Sequence, residues 1–283
     1  MYHHLTPLGP IDYLLVGHLT RDIALDGPRL GGTAAYAGLT AHALGLRVGI
    51  VTSWAADLPL GSLRDIPIIS LASEESTTFE NIYAEDGRRQ HIRHVAQHLD
   101  LNLIPDAWRN PSIVHIAPVA QEISPTLVRH FSNALIGLTP QGWLRTWNEE
   151  GLVSPCEWPE ASFVLGQGGA TVLSLEDVAD DEERIEEMAA SCRVLAVTEA
   201  ERGSRLYWNG DVRRFPAQQV SEVDSTGAGD VYAAAFFFRL FTTRDPWEAA
   251  RFATQLATIS VTRPGLLGVP TTEEIQESMV EVY

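Results

Sequence analysis

Short apolar runs rich in β-branched residues alternate with helical stretches along almost the whole chain, and this alternation limits the fold more than any other feature. Runs at 11–16, 48–52, 66–69, 113–116, 134–138, 171–175 and 194–198 have the length and composition of buried strands. Between and after them, 33–44, 123–132, 182–191, 229–241, 246–262 and 272–280 read as helices. Two hairpins interrupt the alternation: 77–83 and 88–94 flank Glu85-Asp86-Gly87, and 204–208 and 212–215 bracket Asn209-Gly210-Asp211. The pattern predicts an α/β fold, a doubly wound, mostly parallel sheet flanked by helices with ligands at its C-terminal edge. With no repeat, low-complexity tract or clear linker, residues 1–283 read as one domain with a small lid-like hairpin around 77–94.

Composition removes whole classes of function. A net charge of −17 argues against a nucleic-acid surface, which needs clustered cations. No apolar stretch is long enough to span a membrane, and residues 1–10 lack a signal-peptide pattern, so a cytoplasmic protein is expected. Cys156 and Cys192 make no metal or redox spacing, and His91, His94, His98 and His115 make no metal triad. All 20 basic residues are Arg. Without Lys the chain cannot build a Walker A loop, a protein-kinase phosphate site, a Schiff base or a pyridoxal-phosphate attachment. Any phosphate must be neutralised by backbone N–H groups, Arg or bound metal.

Residues 224–230, Asp-Ser-Thr-Gly-Ala-Gly-Asp, supply such a site. Gly227 and Gly229 let the backbone bend tightly around Ala228. A helix starts immediately afterwards, and its N-terminus offers unpaired N–H groups and the positive end of the dipole. Asp230 places a carboxylate where phosphate would be repelled, which makes sense if it accepts a proton. Glycine-rich anion hole plus carboxylate suggests phosphoryl transfer to a hydroxyl. The plainer alternative is a loop capped by Asp at a helix start.

In this order and context the chain resembles the ribokinase-like (PfkB) family of small-molecule kinases over nearly its whole length. Residues 223–230 resemble the family signature, 251–254 and 257–265 its nucleotide-side helix and following loop, and Gly31-Gly32-Thr33-Ala34-Ala35-Tyr36 its other glycine motif. The resemblance implies ATP as donor and Mg²⁺, with K⁺ in some members. It implies that Asp230 is the catalytic base and that the N–H groups of Gly227, Ala228 and Gly229 hold the migrating phosphoryl charge. The helix N-terminus is expected to depress the pKa of Asp230. Thr198, Ala200, Gly203, Thr254 and Gly265 fall at nucleotide positions, with Ala200 where the family usually has Gly. Asp177, in place of the family's Glu, is the metal candidate beside Ser174, which stands for Asn. Asp224 and Thr226 match positions that help hold a monovalent cation in some members, although Asp177 and Asp224 are also good capping residues.

At the acceptor end Asp22 matches a position that binds sugar hydroxyls, and Gly31, Gly32 and Thr33 let substrate lie against the backbone. Only eight residues separate Asp22 from Gly31, so the first lid hairpin is expected to be very short or missing. Residues 76–83, 32–36 and 140–145 are similar to myo-inositol-kinase-like members, which makes Glu80, Asn81, Gln141 and Arg145 polyol-pocket candidates; exposed hairpin or surface roles are the alternative for Glu80, Asn81 and Arg145. The expected partner is a small-molecule polyol or sugar, with monomer and homodimer both open. A pentose or nucleoside kinase of the same fold, and a catalytically weakened polyol-binding regulator, are the competing functions. A nicotinamide dehydrogenase is disfavoured, because Gly166-Gln167-Gly168-Gly169 is followed by Thr171 where a glycine is needed.

Overall fold

A computed structural model describes residues 8–24, 27–57, 59–84 and 87–279. The chain opens with β1 (Tyr13–Val16), a hairpin of β2 (Thr20–Ala24) and β3 (Gly27–Gly31), and helix α1 (Thr33–Ala43). Strands β4 (Val48–Trp54) and β5 (Ile68–Ala72) precede a second hairpin, β6 (Thr77–Ala84) and β7 (Gly87–His94). Next come β8 (Ile113–Ile116), β9 (Leu135–Leu138), the short pair β10 (Arg145–Trp147) and β11 (Val153–Pro155), and helix α2 (Ala161–Gln167). The C-terminal half runs β12 (Ala170–Ser174), α3 (Glu182–Ser191), β13 (Val194–Thr198), β14 (Ser204–Trp208) and β15 (Asp211–Phe215). Helices α4 (Ala228–Thr243), α5 (Pro246–Ser260) and α6 (Thr272–Met279) follow.

Nine strands form one sheet in the order β15-β14-β13-β12-β9-β8-β1-β4-β5, parallel from β13 to β5 and antiparallel at β14 and β15. Alternation along each strand divides the core into two layers. Tyr13, Leu15, Ile113 and Ala196 face the layer made by α1, α4 and α5. Leu14, Val16, Val114 and Val197 face the layer that contains Val164 of α2 and Ile185 and Met188 of α3. Helix α4 is apolar nearly all round because it packs between the sheet and α5, with Val231 through Phe237 buried. Asp245 caps α5 through the N–H groups of Trp247 (2.9 Å) and Glu248 (3.3 Å). Strand order reverses direction between β8 and β1, and the crevice beyond their C-terminal ends is where such a sheet binds ligands.

A second, four-stranded sheet, β3-β2-β6-β7, stands over that edge as a lid. The first hairpin is therefore short but present, and the lid is twice as wide as a single 77–94 hairpin; the turn residues Glu85 and Asp86 lie outside the described residues. Stretch 123–132 also departs from expectation: it forms a 3-10 helix, Pro125–His130, led by Ser124, instead of an α-helix. Among the described residues no helix is long and apolar enough to cross a membrane, and Cys156 and Cys192 are both free thiols.

Candidate active site

The crevice is tied together from below by a buried carboxylate. Glu122, fully buried, accepts N–H groups from His18 (3.1 Å), Val119 (3.0 Å) and Ala120 (2.7 Å) and so locks the loop after β1 to the loop after β8. The His18 ring bonds Thr77 Oγ1 at 2.7 Å and the Gln97 carbonyl at 2.9 Å, which anchors the base of the lid to the same point.

On the helix side, the 224–230 loop folds as its composition suggests. Gly227 is the N-cap of α4 with φ 79°, and a Cβ there would lie 2.2 Å from the Tyr36 ring. Only glycine satisfies both constraints. Ala228 N–H is engaged by the Ser225 carbonyl at 3.2 Å, whereas Gly227 and Gly229 N–H donate to no carbonyl among the described residues. The N–H groups of Gly227 and Gly229 are thus left without a backbone acceptor, while that of Ala228 closes the turn. Asp224 is the loop's clamp: its oxygens accept N–H from Thr226 (3.0 Å) and Gly265 (2.8 Å), and these bonds with nearby Arg29 outweigh burial and hold its carboxyl below the usual range. Asp177 likewise caps its own turn, accepting Ser174 N–H at 2.8 Å and Gln141 Nε2–H at 3.0 Å. Among the described residues no group of three or more His, Cys, Asp or Glu is placed to hold a metal ion.

Asp230 occupies the third position of α4, half-buried at the bottom of the crevice. Its pKa is raised to about 7, not depressed. Burial is the main cause, and the charges of Asp177 and Asp22 add to it; a hydrogen bond from Thr33 and the charge of Arg145 oppose it without winning. The helix dipole is worth too little to reverse the desolvation at the bottom of the crevice. Thr33 therefore orients Asp230, a role its place in the glycine motif did not suggest.

On the acceptor side, Asp22 sits on β2 with its Oδ1 accepting the Thr20 hydroxyl at 2.9 Å. A Cβ on Gly31 would be 2.2 Å from Asp22 Oδ2, so Gly31 is glycine to make room for that carboxylate. Gly32 caps α1 at φ 84°. Strand parity sorts the lid residues. Phe79 and Asn81 are paired with Ile92 and Gln90 and face Arg145, which bonds Gln90 Oε1 at 3.1 Å and lies 5.5 Å over the Phe79 ring. Gln90 also donates to Asn81 Oδ1 at 3.1 Å. Glu80 points to the opposite face, away from Arg145, and pairs with Arg93 at 2.5 Å. Gln90, which the motifs do not include, is brought to this group by its pairing with Asn81 across the β6–β7 ladder. Replacing Glu80 by Ala should leave the acceptor KM within about two-fold, because an exposed pair contributes little. Asn81→Ala should raise it about ten-fold, roughly one hydrogen bond in a partly dry pocket. Steady-state kinetics on the two variants checks this contrast.

The nucleotide-side positions divide. Thr198 ends β13, and Ala200 adopts φ 50°, the conformation for which glycine is preferred. Glu199, buried and paired with Arg205 and with Arg214 at 2.8 Å, pins this turn. Gly203 (φ 92°) serves the β14–β15 hairpin, since a Cβ would strike the Phe215 carbonyl at 2.0 Å. Thr254 is buried between α5 and β14, with its hydroxyl bonded to Ser204 Oγ at 2.9 Å and to the Ala250 carbonyl at 2.8 Å. Gly265 remains at the site through its bond to Asp224. Exposed Val223 (60%) and Leu267 (71%) border the loop on this side.

Residues 156–272, which include the 224–230 loop, match the model of the pfkB family carbohydrate kinases. Over 295 aligned residues the chain is 24% identical to the Arabidopsis thaliana protein named Probable fructokinase-4, covering 92% of this chain and 86% of that one. Among solved structures, a pyrophosphate-dependent kinase in the ribokinase family, complexed with a pyrophosphate analog and myo-inositol, superposes with a TM-score of 0.79 at 20% identity, covering 94% of this chain and all (100%) of the other. Ribokinase of Arabidopsis thaliana, complexed with ribose and ATP, gives 0.72 at 17% identity over 96% and 99% of the two chains. These superpositions show the ribokinase fold.

Proposed function

We propose that this chain, a small-molecule kinase with a PfkB family carbohydrate kinase domain, transfers the terminal phosphoryl group of ATP to a hydroxyl of a small cyclic polyol, with myo-inositol the leading candidate. The observation that carries the reading is Asp230, a carboxylate with pKa about 7 at the start of a helix whose Gly227 and Gly229 N–H groups are open to an anion. Proton acceptor and anion hole are adjacent in the chain, as attack by a hydroxyl on phosphorus requires.

In the reaction the acceptor oxygen forms a bond to phosphorus while the bond from phosphorus to the bridging oxygen breaks. The electron pair stays on the bridging oxygen of the departing ADP, and the hydroxyl proton passes to Asp230. Gly227 and Gly229 hold the equatorial oxygens, and transfer of this loose type depends mainly on such positioning. Mg²⁺ would arrive with the donor and neutralise phosphate charge; Asp177, an oxygen donor suited to it, is the carboxylate that would hold its water shell through the lone pairs that its turn bonds leave. Val223 and Leu267 offer apolar surface beside the loop on which a nucleobase can rest, which favours ATP over a bare polyphosphate.

For the acceptor, Asp22, Asn81, Gln141 and Arg145 present oxygen and nitrogen groups from several directions, suited to a ring with many hydroxyls. The neighbour that binds myo-inositol supports this choice, and the fructokinase relative supports a ketohexose as the second acceptor to test. The assay is phosphate transfer with Mg²⁺ from ATP, and separately from pyrophosphate, to inositols, pentoses, hexoses and nucleosides. Turnover of an inositol with ATP is expected. No turnover of any acceptor by folded protein with either donor would overturn the kinase reading and leave a polyol-binding regulator.

A further inference from the structure

The lid's inner face carries a cation that none of the family motifs includes. Arg29 lies on β3 directly opposite Asp22 in the antiparallel β2–β3 pair, so both side chains leave the sheet on the same face. Asp22 is in register with Phe79 on β6, and Phe79 with Ile92 on β7. Arg29 therefore ends the row that crosses the inner face of the lid. Its guanidinium reaches the phosphate loop, with Nη1 3.9 Å from Asp224 Oδ2. Asp224 does not depend on that contact, because its two oxygens are already held by the Thr226 and Gly265 N–H groups. A half-exposed pair of this length is weak and readily exchanged for a better partner.

Charge balance supplies the reason for an exchange. Asp22, Asp177, Asp224 and Asp230 surround the crevice, the donor adds several negative charges, and the chain contains no Lys. Arg145 is directed to the acceptor side by Gln90 and Phe79. A planar guanidinium, with its forked donors, is well matched to phosphate oxygens. We propose that Arg29 is a catalytic residue that leaves Asp224 and binds the equatorial oxygens of the migrating phosphoryl group from the lid side, while Gly227 and Gly229 hold it from the helix side. Arg29 neither gains nor loses a proton; it neutralises charge as the acceptor–phosphorus bond forms and the donor bond breaks. Because Arg29 and Asp22 share one hairpin, an acceptor seated on Asp22 also steadies the strand that brings in the guanidinium. The inference rests on the kinase reading.

The test uses Arg29→Met and Arg29→Lys in the full chain, with ATP, Mg²⁺ and the best acceptor from the panel. For Arg29→Met, kcat should fall about 10²–10³-fold, the usual loss of one donor to a developing oxyanion, with acceptor KM within about three-fold. Millimolar guanidinium should restore part of the rate to Arg29→Met, which a lost lid contact would not allow, and Arg29→Lys should recover a fraction of kcat. A kcat within about three-fold of wild type, a loss confined to acceptor KM, or no rescue by guanidinium would overturn the assignment. If the wild-type protein transfers phosphate to nothing, calorimetric titration with pyrophosphate decides separately. Binding weakened ten-fold or more by Arg29→Met would keep Arg29 as a phosphate ligand, and unchanged affinity would remove it.

Discussion

Asp230→Asn is expected to lower kcat for phosphoryl transfer by about 10²–10⁴-fold, the usual contribution of a positioned general base, while ATP affinity stays within a few-fold. The amide keeps the shape of the carboxylate and its contact with Thr33 but cannot take the proton. Titration calorimetry with ATP separates binding from chemistry: lost turnover with retained binding is the expected pair. The same substitution has a stability signature. Asp230 titrates at about 7 in the folded protein against 3.8 for an ordinary Asp. The folded state thus binds this proton more tightly than the unfolded state. Asp230's contribution to stability is complete below about pH 4 and is lost as the pH rises to 7. An Asn cannot ionise, so the variant should melt higher than wild type above pH 7, with the gap closing toward pH 4. A variant that loses activity and melts lower at every pH would mean that the crevice itself had been damaged.

Gly227→Ala should have the second largest effect, through the backbone. Alanine at φ 79° costs about 1–2 kcal/mol. Its Cβ would also meet the Tyr36 ring at 2.2 Å, and relieving such an overlap in a packed site adds about 1–3 kcal/mol. The sum, about 2–5 kcal/mol, is a large share of the stability of a domain. Relaxation has two routes. If Tyr36 moves, α1 shifts and carries Thr33 off Asp230; if the loop moves, the N-cap turn opens and the anion donors separate. Either way transfer should fall at least 10²-fold, and chemical denaturation should show the midpoint falling with the m-value unchanged. Gly229→Ala is the control, since a Cβ there meets nothing within 4 Å and the residue is already helical. Its stability should change by less than about 1 kcal/mol.

Much of this architecture was legible in the residues, for reasons that also mark the limit. The amphipathic helix 182–191 and the apolar run 194–198 carry their own signal, and Asn209-Gly210 adopts the two positive φ values that its hairpin requires. Elements β2, β3, β10, β11 and α2 were illegible because they lack a continuous apolar run and draw their stability from neighbours instead of local pattern. Parity of the lid strands was illegible because Glu80 and Asn81 are both polar; only the packing of Phe79 under Arg145 decides which faces inward. A small polar residue on a helix does not reveal its face in the sequence, and the structure turns Thr254 toward Ser204. The pKa of Asp230 was read with the wrong sign because the sequence displays the helix start but not the burial, nor Asp22 and Asp177 brought in from distant segments. Local chemistry was visible, whereas charge brought together by long-range topology was not.

The most direct test is the pH dependence of kcat/KM for the acceptor at saturating donor, measured for wild type and Asp230→Asn side by side. Titration of the donor affects both proteins alike, so the comparison isolates the carboxylate. The account predicts that wild-type log(kcat/KM) rises with a slope of one to an apparent pKa near 7 and then levels off, and that the residual activity of Asp230→Asn lacks this limb. The same rising limb in both proteins, or wild-type rates in Asp230→Asn, would contradict it.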